Sequence, residues 1–425
     1  MSQYSVVTFI PYCVKWLSMR DSLKSKRLKP VIIQRPEHKI FRKDIDRDAL
    51  TVINRLKRQG FTAYLTGAAV QNLMNGDSPK DFDIVTDARP GQIKRRFSNT
   101  YLIGRRFRLA HIHFKNGKYI EVATFRRDSN PSDKNAAEPA HKWKDTYGTP
   151  REDAFRRDIT INALFFDVST ASVIDYVGGL KDLSKKKIRI IGDPALRYTE
   201  DPVRMLRVVR HAARLGFDIE RKTKRAISSH LNLISTCAGA RLFEELNKDL
   251  NFNSSPVFEA YIKFGFLKLL LGQMGKDYET QGDLASKLLK LLEAKDQGKS
   301  LGFHLSQEEL YSLLIWPWAE RLLANKKGNI QKILDEATTL TLSNINFPKK
   351  LRTGCIHTLF LLSKLFQAFH TGYIPESWRR RHHFSQACRL CFLIEKGRVP
   401  RQEESFNNFF RKTSRIYRTQ SDKKH

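Results

Sequence analysis

Cysteine is scarce: the chain has five in 425 residues (Cys13, Cys237, Cys355, Cys388 and Cys391), scattered and odd in number. That argues against a disulfide framework and points to a reducing compartment, the cytoplasm. Cys388 and Cys391 form a CxxC with His382 and His383 just upstream, half of a zinc site at most. The stretch "SQACRLCFLIEKG" reads better as one apolar face of a helix. Acidic residues are also few, 44 Asp and Glu against 76 Lys and Arg. No apolar run approaches the ~18 residues that span a bilayer. The opening "MSQYSVVTFIPYCVKWLSMR" has no basic residue ahead of its apolar stretch, and Pro11 and Lys15 interrupt it. A secretory signal is therefore not expected. An apolar stretch followed by basic residues suits weak association with a membrane surface.

What is present is positive charge. The formal net charge is +32, with a pI near 10. An excess this large opposes compaction and points to a polyanionic partner, nucleic acid before an anionic membrane. A hydrophobic content of 41% with 27 Phe allows real cores. The length suits about three domains.

Along the chain, "DALTVINRLKRQG" reads as a helix stopped by Gly60, and "FTAYLTG" as a strand entering a glycine turn. "AAVQNLMNG" follows as a short helix, "DFDIVTDA" as a strand and "RPGQIKRRFSN" as a helix begun by Pro90. "AHIHFKNGKYIEVATF" alternates on both sides of Asn116-Gly117, a strong hairpin signal. Residues 128–150 read as a loop. "EDAFRRDITINALFFD" is expected to be helical and to lead into a β-turn-β element, "VIDYVGGLKDLSKKKIRIIG". After Pro202 the chain reads as mostly helical, ending in a basic tail.

Four constellations carry chemistry. Asp81 and Asp83 in "SPKDFDIVTDA" sit two apart, so on a strand they project from one face. Like charges this close repel unless a cation lies between them. A hard divalent cation with oxygen ligands removes the conflict, and a pair of such ions can drive phosphoryl transfer. Glu121 on a neighbouring strand is a candidate third carboxylate and Asp158 a fourth. A lone D-x-D also occurs by chance on surface strands. The turn at Gly67 strengthens the functional reading, because the helix after it can present N–H groups to phosphate.

In "FRRDITINAL", a helix would put Asp158 and Asn162 on one face, with Arg156 and Arg157 as cations suited to a triphosphate. In "TEDPVRMLRVVRHAARLGF", Asp201 and Arg204 are three apart. A carboxylate accepting from an exocyclic amine and a guanidinium donating to a ring nitrogen together imitate a base-pairing edge for adenine or cytosine. A capping Asp with a surface Arg explains the same residues. Arg105, Arg106 and Arg108 in "YLIGRRFRLAHIHF", and Arg207 further on, are candidates for RNA or phosphate contact. Taken as a lone charge run, the arginines of that first stretch read as a solvated face.

These pieces occur in a fixed order. The glycine turn, "DFDIVTDA", "IGRRFRLAHIHF", "IEVATFRR", "EDAFRRDITINAL", "DYVGGLKDL" and "IIGDPALRYTEDPVRMLRVVRHAARLGF" together resemble the bacterial poly(A) polymerase / tRNA CCA-adding nucleotidyltransferase family. The resemblance covers roughly residues 37–250. "GRRFRLAH", "RPEHKIFRKDI" and the basic tail look like the poly(A) polymerase branch.

The resemblance implies an α+β class: a polymerase-β-like nucleotidyltransferase head of mixed sheet and helices, then an all-helical neck, body and tail. The expected segments are 1–36 (basic extension), 37–178 (head), 179–250 (neck), 251–390 (body) and 391–425 (tail). It also implies addition of AMP from ATP to RNA 3′ ends. Asp81 and Asp83 would hold two Mg²⁺ ions, and Asp158 would be counted with the active site. Gly67, Ala68, Arg157 and Asn162 would lie toward the nucleotide, and Asp201 and Arg204 would select its base. Glu121 matches a recurrent acidic position. Expected partners are RNA 3′ ends, ATP and the RNA-degradation machinery. CCA addition to tRNA is the alternative within the family, and a weakened RNA-binding paralogue is the alternative outside catalysis. The latter is prompted by "GAAVQN" (Gly67–Asn72), where the family has Gly-Gly-x-Val-Arg-Asp.

Overall fold

The computed structural model describes residues 29–104, 108–115, 117–127, 147–326, 328–400 and 404–421. The chain divides into two compact units at Lys185/Lys186. Cys13, Arg105, Arg106, Asn116, most of the 128–150 loop and the N-terminal segment expected to associate weakly with a membrane surface lie outside the described residues.

The first unit is built on an eight-stranded mixed sheet. Its strands are β1 (Val31–Ile33), β2 (Ala63–Thr66), β3 (Asp83–Thr86), β4 (Thr100–Ile103), β5 (Leu109–His113), β6 (Tyr119–Thr124), β7 (Phe165–Asp167) and β8 (Ser172–Asp175). Their spatial order is β1-β8-β7-β2-β3-β6-β5-β4. All neighbours are antiparallel except β3 and β6, which run parallel. That one parallel pair needs a crossover, which the helix Pro90–Arg96 and the β4–β5 excursion supply.

Local chemistry sets the elements. The helix Arg47–Arg58 begins where the Asp46 carboxylate accepts from the N–H groups of Asp48 and Ala49. Its Ala49, Val52, Ile53 and Leu56 form the buried face. The helix Pro150–Arg156 starts with a Thr149–Glu152 capping box and Pro150 in its first turn. The core is Leu65, Ile84, Val85, Ile112, Ile120, Val122, Phe125 and Phe165.

Three expectations need correction. Val31–Ile33, assigned to a basic extension, is an edge strand of the sheet, paired antiparallel with β8. The segment 152–167 is not one helix: Arg157 is extended (φ −66°, ψ 164°), a 3₁₀ turn, Thr160–Ala163, follows, and Phe165–Asp167 is strand β7. Asp158 and Asn162 are therefore not helical i, i+4 neighbours. The segment 173–192 is not a β-turn-β element, since the helix Gly179–Ser184 intervenes. β9 (Lys187–Ile188) instead pairs in parallel with β10 (Asp218–Ile219) in the second unit.

The second unit is helical apart from that short pair, as expected beyond Pro202. Its long helices Gln307–Asn325 and Lys349–Thr371 are deeply buried. Cys388 and Cys391 face the interior from the helix Phe384–Lys396, and burial pushes the Cys388 thiol up to about 12. Behind the helix Val203–Leu215 lies a buried ionic cluster. Arg210 bonds both Glu245 and Asp249, Arg207 donates to Glu245 at 3.0 Å, and the Tyr261 hydroxyl donates to Asp249 at 2.7 Å.

Candidate active site

Register brings the acidic residues together. β2 ends opposite the start of β3, with Thr66 facing Asp83, so the Gly67 turn lies beside that carboxylate. Gly67 takes φ +72°, and a Cβ there would stand 3.6 Å from Asp83 Oδ2. The positive φ is what favours glycine there, since 3.6 Å is an ordinary van der Waals distance. Parallel pairing of Ile84 with Val122 sets the preceding residues, Asp83 and Glu121, side by side at the same sheet end. Asp81 precedes the strand and keeps the exposed side of the exposed–buried alternation that Phe82 begins.

Among the described residues no cation is paired with Asp81 or Asp83, while His111 stands 3.4 Å from Glu121. Burial first, then the charges of Glu121 and Asp81, push the Asp83 carboxyl up to about 6. Arg157 pulls it down, but only in part. Its guanidinium donates to Asp153 Oδ2 (2.9 and 3.1 Å) and to the Asn162 carbonyl (2.9 Å). Asp153 is fully buried, and its other oxygen accepts from Arg156 Nε at 2.9 Å and from the Arg126 backbone N–H at 3.1 Å. Burial works upward on Asp153, but Arg157 and Arg156 outweigh it and hold the carboxyl below its ordinary value. Asp153 thus fixes Arg157 near the acidic cluster without neutralising the cluster. It was missed in the sequence, although its i, i+3 and i, i+4 spacing to two arginines was a readable signal.

Asp81 and Asp83 fit a hard divalent cation, since they supply oxygen donors and an uncompensated negative field. Among the described residues no group of three or more His, Cys, Asp or Glu is disposed to hold a metal ion. A Mg²⁺ ion there would draw its remaining oxygens from substrate phosphates and water, as this ion commonly does.

The departure "GAAVQN" does not disturb the turn. Ala68 is the first residue of the helix Ala68–Asn75, without a positive φ, and its side chain is exposed. Gln71 is 2% exposed, and its Nε2 has no partner among the described residues.

Asp158 and Asn162 are half-buried on the segment after Arg157, and Arg108 is exposed. Asp201 and Arg204 belong to the second unit, where each already has a partner. Asp201 ends the helix Pro194–Glu200 and accepts from both Nη atoms of Arg241, at 3.0 and 2.9 Å. Arg204 donates to the Arg197 carbonyl and to Glu200 Oε2, both at 2.9 Å. The spacing of Asp201 and Arg204 could not reveal Arg241 or Glu200. Arg207 is tied to Glu245 and one-third exposed.

Residues 63–189 match the family model "Poly A polymerase head domain", and residues 216–276 match "Probable RNA and SrmB- binding site of polymerase A". The chain is 36% identical to poly(A) polymerase I of Salmonella typhimurium over 366 residues, which is 80% of this chain and 78% of that protein. The chain belongs to the poly(A) polymerase family. Members of this family are polynucleotide adenylyltransferases, and so is this chain, an RNA 3′ nucleotidyltransferase. The Haemophilus influenzae relative is 35% identical, covering 73% of this chain and 71% of its own. The Bacillus pumilus CCA-adding enzyme is 34% identical over 47% of this chain and 48% of its own. In fold, the chain resembles the Bacillus stearothermophilus CCA-adding enzyme solved with CTP (TM-score 0.59, 24% identity, 88% of this chain and 82% of that one).

Proposed function

We propose that the protein adds AMP from ATP to RNA 3′ ends without a template, releasing pyrophosphate. The observation that carries this reading is the Asp83 cluster, three carboxylates beside a glycine turn, of which Asp81 and Asp83 have no paired cation among the described residues. Asp81 and Asp83 would hold Mg²⁺, which activates a hydroxyl and stabilises a leaving oxygen in phosphoryl transfer. The chain's own residues bind and orient. The N–H groups at Gly67 and Ala68 face the phosphates. Arg157, held by Asp153, offers them a fixed positive field. Asp158 and Asn162 complete the nucleotide side. Asp201 and Arg204 read the base once Asp201 exchanges Arg241 for an exocyclic amine. Arg108 and the large net charge hold RNA with little sequence preference, so affinity falls steeply with salt.

The CCA-adding relatives and fold neighbours favour a second reading, addition of C and A to tRNA. Incubating an oligo(A) primer and a tRNA lacking its CCA end with each NTP separately decides between them. AMP incorporation into oligo(A) alone supports the first reading, and CMP incorporation into the tRNA overturns it. If neither RNA is extended while both bind, the chain is an RNA-binding paralogue.

A further inference from the structure

The open face of β4–β6 carries a run of rings that the chemistry above does not use. Tyr101 on edge strand β4 meets His113 at 5.0 Å, nearly perpendicular. His113 meets Tyr119 at 5.6 Å, and Tyr119 lies parallel to His111 at 4.4 Å with 6° between the planes. Register explains the run. Tyr101 pairs with His111, His113 with Tyr119, and His111 with Glu121, so all project from one face. The other face carries Ala110, Ile112, Ile120 and Val122 into the core.

The ring-bearing face is not buried: Tyr101 is 64% exposed and Tyr119 is 49% exposed. Its inner end is the acidic site, because His111 Nε2 stands 3.4 Å from Glu121 Oε2 and Glu121 neighbours Asp83.

We infer that this face is a stacking platform for the last nucleotides of the RNA primer, delivering its 3′ end to the Asp83 cluster. The inference rests on the catalytic reading proposed above. Exposed π-faces take any base, which suits a substrate without fixed sequence. Exposed Arg108, just before β5, is a cation for the backbone. From β3 to β4 is three strand spacings, about 14 Å, room for roughly three to four stacked nucleotides at about 3.4 Å each. The rings' continuity with the carboxylates favours RNA over a protein partner as the occupant.

The test uses the full chain with oligo(A) carrying 2-aminopurine near its 3′ end, without ATP or Mg²⁺. Anisotropy gives the affinity, and quenching of the base analogue reports stacking. Tyr119→Leu and Tyr101→Leu keep apolar bulk at exposed positions but lose the ring. Each is expected to weaken binding about 5- to 100-fold and to relieve quenching. Tyr119→Phe retains both, and in turnover the Leu variants raise KM for RNA but not for ATP. Asp83→Asn is expected to bind and quench like the wild type. If Asp83→Asn stays fully active, the catalytic reading falls while the stacking result stands. If both Leu variants bind and quench like the wild type, the platform is refuted and the face is left to a protein partner.

Discussion

Two acidic clusters in this molecule are made of the same residue types and are wired oppositely. In the helical unit, burial alone would raise Glu245, but Arg210 and Arg207 overcome it and hold the carboxyl at about 2. In the head, no cation among the described residues pairs with Asp83 or Asp81, and Asp83 rises to about 6. Arg157, whose charge acts on Asp83, is itself paired with Asp153. A carboxylate that brings its own counter-charge supports the fold. One left without is a candidate to take a cation from outside.

Breaking each cluster tests this contrast. The largest effect expected is on Asp83→Asn: loss of metal-borne charge stabilisation of about 4 kcal/mol lowers AMP incorporation about a thousandfold, read by primer extension. Next, Arg210→Ala leaves Glu245 and Asp249 buried without their main partner. It is expected to destabilise the protein by about 3–5 kcal/mol in urea unfolding, without the head losing its native spectrum.

The pH dependences then run in opposite directions. Glu245 titrates lower folded than unfolded, so its contribution is complete above about pH 4.5 and is lost as pH falls toward 2. Asp83 titrates higher folded than unfolded, so its contribution is present below about pH 4 and is lost as pH rises through 6. Without metal, Asp83→Asn is therefore expected to stabilise the protein at pH 8 by about 1 kcal/mol, a figure reduced for solvent screening at this exposed strand end, and to change nothing at pH 3.5. The smallest effect is expected at the partly exposed Arg241. Arg241→Ala frees Asp201 at a cost of under about 1 kcal/mol of stability and tightens ATP binding by no more than about fivefold, measured as Kd.

The same contrast separates what could be read in the sequence. The metal-type pair was visible because Asp81 and Asp83 interrupt an apolar strand pattern, and the glycine turn because Gly67 follows one. Asp153 and Arg241 act through partners that become neighbours only on folding, or that look like ordinary helix-surface charges. The break at Arg157 was invisible because "FRRDITINAL" satisfies helical periodicity, while the actual backbone is set by the Arg157–Asp153 and Arg157–Asn162 contacts. The strand at Val31–Ile33 was hidden because an edge strand exposed at Val31 and Ile32 shows no core-facing alternation.

Gly67 and Ala68 have a last consequence, for how variants of this protein will be judged. Of the two positions where the family has glycine, only the first here bears a positive φ, beside the Asp83 carboxylate. A side chain at position 68 fits its helical backbone, as Ala68 does, whereas a side chain at position 67 would strain the turn beside Asp83. A missense change at the first position is thus the better marker of a dead homologue.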